Sequence, residues 1–305
     1  MRTARSAVCL VVLGLATAVR AASAQAWSPR QGQGAVTFAA QTIDHVGRMT
    51  DDGTRVACCG TTNVGLYVDF DYGLTNRLSI SGGIPYVFAK YRGDVPAGPA
   101  AFLPYPELDS CHCVHSSFQD FGIAARYNVL RIRRSSSVST LVSFGTPSHG
   151  YEYAAEAAVG FGLRELGLGA DAAQRFDRIA PGLSVEGHYL YSLVERSLDI
   201  RHDRSNARIE PGYDFGSRLS ARMILSWQRT HGGLRFPNDV EPYPERYDEF
   251  HRLLQDDYFQ AGAGGSYLWG KWDISAAFLR TVSGTNSHDV HVYTVSASRS
   301  FRLRR

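Results

Sequence analysis

Cys111, His112, Cys113 and His115 fall within five positions in "SCHCVHSSF", and thiolate and imidazole are the ligands that zinc and copper take. The spacing excludes c-type haem attachment, which needs Cys-x-x-Cys-His. The other cysteines beyond the N-terminal segment are Cys58 and Cys59 in "RVACCGTTN". An even set of four in a secreted chain pairs into disulfides, and a vicinal Cys58–Cys59 bridge would be strained. The expectation is two bridges joining members of one pair to members of the other, with the pairing open. A metal site built from Cys111, His112, Cys113 and His115 is the alternative.

Two arrangements carry residue types for hydrolysis. In "HDRSN", His202 and Ser205 are three apart, a spacing that puts them on opposite faces of a strand. In "VHSSF", His115 and Ser117 have the i, i+2 spacing that puts base and nucleophile on one face. Acidic pairs at 51–52 and 256–257 and the His288–Asp289 pair supply further acid–base groups, but such pairs are common in solvated loops.

The elements that position these residues follow from the rest of the chain. Arg2 and Arg5 precede an apolar run that ends in small residues at "ASA" and "AQA", the pattern of a secretory signal peptide cleaved after Ala24 or Ala26. Residues 27–305 then form a single domain. Formal net charge is +3, with 32 Lys and Arg against 29 Asp and Glu, so no nucleic-acid partner is expected. Beyond the leader no apolar run is long enough for a helical span. Instead apolar and small or polar residues alternate. Val64, Leu66, Val68 and Phe70 alternate with Gly65, Tyr67 and Asp69, and Leu219, Ala221, Met223, Leu225 and Trp227 lie against Arg222 and Ser226.

A soluble sandwich also alternates, but short links such as "YGLTNR", "YDFGSR" and "LWGKW" take turns with long polar segments near 48–62, 89–117, 146–163, 195–206 and 230–256. That is the layout of a transmembrane antiparallel up-and-down β-barrel. The expected strands are 34–47, 63–72, 77–88, 118–130, 136–145, 164–174, 182–194, 206–215, 218–229, 257–268, 272–282 and 290–301, about twelve in all. "YEYAAEAAVGFGLREL" has helical spacing and predicts a short rim helix in the third long segment. With lipid outside, the polar face lines the lumen, which by parity receives Asp69, Asp71, Asp120, Arg126, Glu186, His188, Arg208, Glu210, Arg222 and Asp273. Such charges pair across a narrow lumen or act as a selectivity filter.

The last strand, "VYTVSASRSF", places Tyr293, Val295 and Phe301 on one face and so resembles the C-terminal strand of Gram-negative outer-membrane proteins. That resemblance implies recognition by the barrel assembly machinery through the strand ending at Phe301, although "RLRR" follows it. The turn "YGLTNRLSISGGIPYV" is similar to a family of outer-membrane transporters associated with degradation of phenol and other aromatic compounds, best over 63–88. It implies a pore for small, aromatic or hydrophobic solutes and fixes no binding residue. The resulting expectation is an outer-membrane channel in contact with lipid and lipopolysaccharide, with both termini in the periplasm and neither cofactor nor catalysis. The alternatives are a surface-exposed binding or structural barrel with a closed lumen, and a lipid hydrolase.

Overall fold

The computed structural model describes residues 28–57, 60–92, 113–132, 135–151, 159–235 and 250–303. The period-two segments form β1 (Gln33–Met49), β2 (Arg55–Val56), β3 (Thr61–Gly73), β4 (Leu78–Tyr91), β5 (Val114–Phe118), β6 (Phe121–Ile132), β7 (Ser136–Thr146), β8 (Glu165–Arg175), β9 (Leu183–Val194), β10 (His202–Phe215), β11 (Leu219–Gly232), β12 (Asp257–Trp269), β13 (Trp272–Thr285) and β14 (His288–Arg302), with one short helix, α1 (Phe250–Leu253). Neighbours in sequence pair antiparallel, and β14 returns to pair with β1 from Gln33↔Arg302 to Arg48↔His288. With β5 and β6 serving as one interrupted stave, the sheet is a closed antiparallel barrel of twelve staves.

Burial is inverted relative to a soluble protein. Phe38, Leu66, Phe70, Ile84, Ile123, Leu168, Ile209, Met223 and Val295 are exposed, while Asn63, Ser79, Ser137, Ser139 and Thr281 are buried. A continuous apolar exterior around a polar interior is stable only where lipid replaces water as the outer solvent. The strands therefore cross a membrane. No helix among the described residues is long and apolar enough to do so.

The break between β5 and β6 has a local cause. Pro85 on β4 accepts from the Gln119 N–H at 3.1 Å. In an antiparallel strand a residue's N–H and C=O point to the same neighbour, so the donor that proline lacks would have faced this stave. The ladder parts there, leaving Gln119 and Asp120 outside strand pairing. The upper edge of β5 is met instead by side chains of the next connection. Ser148 Oγ donates to the Phe118 carbonyl at 3.0 Å, and Ser117 Oγ lies 3.0 Å from His149 Nε2.

At the end holding both described chain ends the turns are short. Gly270, at φ +62°, makes the two-residue turn from β12 to β13. The opposite end differs from the sequence expectation in two places. The 195–206 segment is only 195–201, because β10 starts at His202, and β13 and β14 meet in a two-residue turn led by Asn286 at φ +49°. The helix expected in the third long segment is not seen in 159–164, and 152–158 lie outside the described residues; α1 belongs to the fifth. Its position follows from Leu253 and Leu254, which bury themselves against Leu163, Val194 and Leu234 at the barrel mouth.

Candidate functional site: the lumen

Inward positions follow strand parity, and all ten expected lumen residues fall on the inner side or in the break. Asp69 and Asp71 project from β3, Arg126 from β6, Glu186 and His188 from β9, Arg208 and Glu210 from β10, Arg222 from β11 and Asp273 from β13. Asp120 sits in the β5–β6 break. Seven of them, Asp69, Asp120, Arg126, Glu186, His188, Arg208 and Glu210, border a common cavity of about 250 Å³. Arg222 and Asp273 line a separate recess nearer the short-turn end, together with Glu186 and Glu210, and Asp71 borders neither.

The register dictates who pairs with whom. Asp171 stands directly opposite His188, and Ser139 separates it from the stave carrying Arg126. On β7, Leu141 stands opposite Arg126 and the small Ser139 opposite Asp171, and Arg126 reaches across that strand. Its Nε donates to Asp171 Oδ2 at 2.5 Å, while His188 Nδ1 lies 2.6 Å from Asp171 Oδ1. The Arg126 and Asp171 side chains are both under 5% exposed, at 4% and 3%, so each charge depends on the other for solvation. Glu186 faces Glu210 across the β9–β10 ladder, a like-charge juxtaposition that would be costly alone. Arg208 forms an ion pair with Glu210, and Arg222 Nη1 approaches the second Glu210 oxygen at 3.4 Å. Higher up, Arg204 Nη2 donates to Glu165 Oε2 at 2.5 Å with its guanidinium 5.2 Å from the Phe161 ring. Asp120 accepts from the Tyr151 hydroxyl and from the Phe161 and Gly162 N–H groups at 3.1 and 3.2 Å. It thereby ties the β7–β8 connection into the mouth.

The lumen is not uniformly polar. Ile43, Ile224, Leu279, Val290 and Val292 form a buried apolar cluster facing inward on β1, β11, β13 and β14. Ile224 and Leu279 both pair with Gly262. With no side chain between them, the two can meet over β12. Tyr67, Leu141, Phe161, Leu163 and Leu190 add apolar surface to the cavity wall. The site is therefore amphipathic, with ion-paired charge on one part of the wall and aliphatic and aromatic surface on the other.

The mouth opposite the short turns carries the apolar group around Leu253 and Leu254. Backbone bonds from Leu234 N to Leu253 O at 2.7 Å and from Gln255 N to Leu234 O at 2.8 Å fold this connection back on itself, and His202 Nε2 lies 2.8 Å from the Leu254 carbonyl. Asp256 follows immediately. Burial, reinforced by the Asp257 charge, pushes its carboxyl up to about 7 against the pull of Arg204 and Arg48.

The hydrolase candidates are rearranged. His202 points inward and Ser205 outward, as the spacing requires, but Ser205 Oγ lies 2.7 Å from His231 Nε2 and 3.2 Å from the Tyr189 hydroxyl. Ser117 is next to His149, not His115. Of the residues in "RVACCGTTN" and "SCHCVHSSF" with metal-binding or disulfide chemistry, Cys58, Cys59, Cys111 and His112 lie outside the described residues. Cys113 and His115 are described, and no metal-binding group of His, Cys, Asp and Glu is present among the described residues. Sequence reasoning missed Asp171, Glu165 and Arg204. The alternation Glu165, Gly167, Gly169, Asp171 against Leu166 and Leu168 carried the signal for the first two.

No protein-family model matches the sequence, and no curated protein matches it. Among solved structures, the COG4313 outer membrane channel from Pseudomonas putida F1 is similar over 92% of this chain and 99% of that one, with a TM-score of 0.67 at 12% identity. The translocator domain of the autotransporter NalP from Neisseria meningitidis is similar over 90% of both chains, with a TM-score of 0.51 at 12% identity. The chain has the fold of the outer-membrane β-barrels.

Proposed function

We propose that the protein is an outer-membrane channel for small solutes with an aromatic or aliphatic body, its leader removed and both termini facing the periplasm. The observation that carries this reading is the amphipathic cavity inside the barrel, where Tyr67, Phe161 and Leu190 share a wall with the Arg126–Asp171–His188 network. Apolar surface offers a small solute a place to leave water, and the paired charges keep the path hydrated without holding the solute too tightly. The likeness to a channel fold supports the reading. Planar-bilayer recording of the folded protein tests it: discrete conductance steps are expected, reduced by small aromatic solutes on the long-loop side. Silence from verified, folded protein defeats it in favour of a closed surface barrel. An epitope after Phe301 that is reachable on intact cells would overturn the placement of the termini.

Inter-loop disulfides among Cys58, Cys59, Cys111 and Cys113 belong to the same reading. Their support is the position of Cys113, which directly precedes β5 at the long-connection end of the barrel. Thiol titration of the denatured, unreduced mature protein is expected to find none; four free thiols would revive the metal alternative.

A second reading, a lipid hydrolase, is favoured by one outer-face cluster. Ser205 contacts His231, Arg229 stands opposite Ser205 in the ladder, and Asp203 stands opposite His231, so a nucleophile, a base and cationic and anionic neighbours share the lipid-facing side. A fluorophosphonate probe that labels native protein but not Ser205→Ala would support it, and an unlabelled native protein would end it.

A further inference from the structure

The short-turn end of the barrel is basic. Among the described residues, the connections at this end and the chain end beside them, at 28–32, 74–77, 176–182, 216–218 and 270–271, hold five basic residues and one acidic one. Among the described residues at the basic end, Arg30, Arg77, Arg178, Arg218, Lys271 and Arg302 are exposed. The neighbouring acids do not neutralise them, because Asp177 and Asp214 both lie against Arg175, at 3.7 and 2.6 Å.

We propose that this end binds the headgroups of anionic phospholipids. Three observations favour a bilayer over a soluble partner. Among the described residues the cations are spread over four turns and both chain ends around the rim, as an annulus of lipid requires, instead of forming one patch. They alternate with large exposed apolar side chains: Ile179, beside Arg178, is 82% exposed, and Trp269, beside Lys271, is 68% exposed. Arg299, just inside the rim, lies 5.5 Å over the Trp272 ring, the arrangement of an interfacial aromatic girdle with basic side chains extending from the apolar band to the headgroups. Each cation near an anionic membrane surface adds to its attraction, and the effect decays within a Debye length. The inference rests on the membrane-spanning reading and is independent of conduction.

The test uses the full-length mature barrel refolded into vesicles, with Trp27 and Trp227 replaced by phenylalanine so that emission comes from Trp269 and Trp272. Brominated phosphatidylglycerol is compared with brominated phosphatidylcholine as quencher. A preference of about threefold or more for phosphatidylglycerol is expected at low salt, falling toward none at about 1 M salt, where the Debye length is about 3 Å. The combined variant Arg77→Gln, Arg178→Gln, Arg218→Gln and Lys271→Gln should lose most of it. Equal quenching by both lipids in the native protein overturns the proposal even if the variant fails to fold. So does displacement of phosphatidylglycerol by soluble glycerol phosphate or polyaspartate, which would make the surface a site for a soluble anion. A barrel that shows the preference but passes no current leaves this inference standing and removes only the channel reading.

Discussion

Asp256 is a carboxyl whose proton the fold holds more tightly than water does. Its ordinary value is near 4 and its value when buried at the barrel mouth is about 7. Between those values the folded loop holds a proton that the opened loop releases. The stabilisation is thus fully present below about pH 4 and lost as pH rises through about 7. Hydrogen exchange at Leu253–Gln255, corrected for intrinsic rate, should be slower at pH 5 than at pH 8, and Asp256→Asn should flatten the difference. Equal protection at both pH values in the native protein would contradict this. Deeper in the barrel, Arg126 and Asp171 predict an asymmetry. Arg126→Met alone should cost about 3–5 kcal/mol by stranding a buried carboxylate, while Arg126→Met with Asp171→Leu should recover most of it. Urea unfolding of barrels in vesicles measures both, and a double mutant no better than the single would refute the pairing argument.

At the scale of elements, β12 and the β1–β14 seam depend on absent side chains. A Cβ at Gly262 would lie 1.9 Å from the Phe278 carbonyl. Gly262→Val should therefore split the Ile224–Leu279 contact and lower the temperature at which the barrel loses its heat-modifiable migration in detergent gels; an unchanged temperature would rule out a structural need for glycine. Outside, Gly34 lies beneath Phe301, whose ring stacks on Tyr72 at 6.4 Å and 11°. The strands themselves were legible because period-two alternation is strong wherever lipid and lumen demand opposite chemistry. Eleven of the expected segments lie within about three residues of the observed ones at both ends, and β10 starts earlier because "HDRS" reads as a polar loop although His202 and Arg204 face inward. Charged lumen residues were legible for the same reason. The apolar cluster around Ile224 was not, since an inward isoleucine beside an outward leucine erases the alternation locally. Nor was the break at Gln119 and Asp120, which originates in Pro85 on the neighbouring strand. Which imidazole meets Ser205 was hidden too, because it depends on pairing between strands, and spacing within one strand does not report it.

For the whole molecule, the closed sheet sets the logic. Every stave is hydrogen-bonded on both sides over most of its length, so the polar backbone is satisfied without water. Among the described residues, charge is basic at the short-turn end and paired within the lumen. The seam between β1 and β14 has a further consequence for connectivity. Gln33 and Arg302 are ladder partners, so a linker of a few residues could join the ends, and the chain could be reopened at the two-residue Asn286–Ser287 turn. Such a circular permutant would keep every strand pair while beginning with β14 and ending with β13. It should refold in detergent as readily as the parent, yet fail to reach the membrane in cells if delivery depends on Phe301 closing the polypeptide. The order in which the staves are made, and not the barrel they make, would then carry the address.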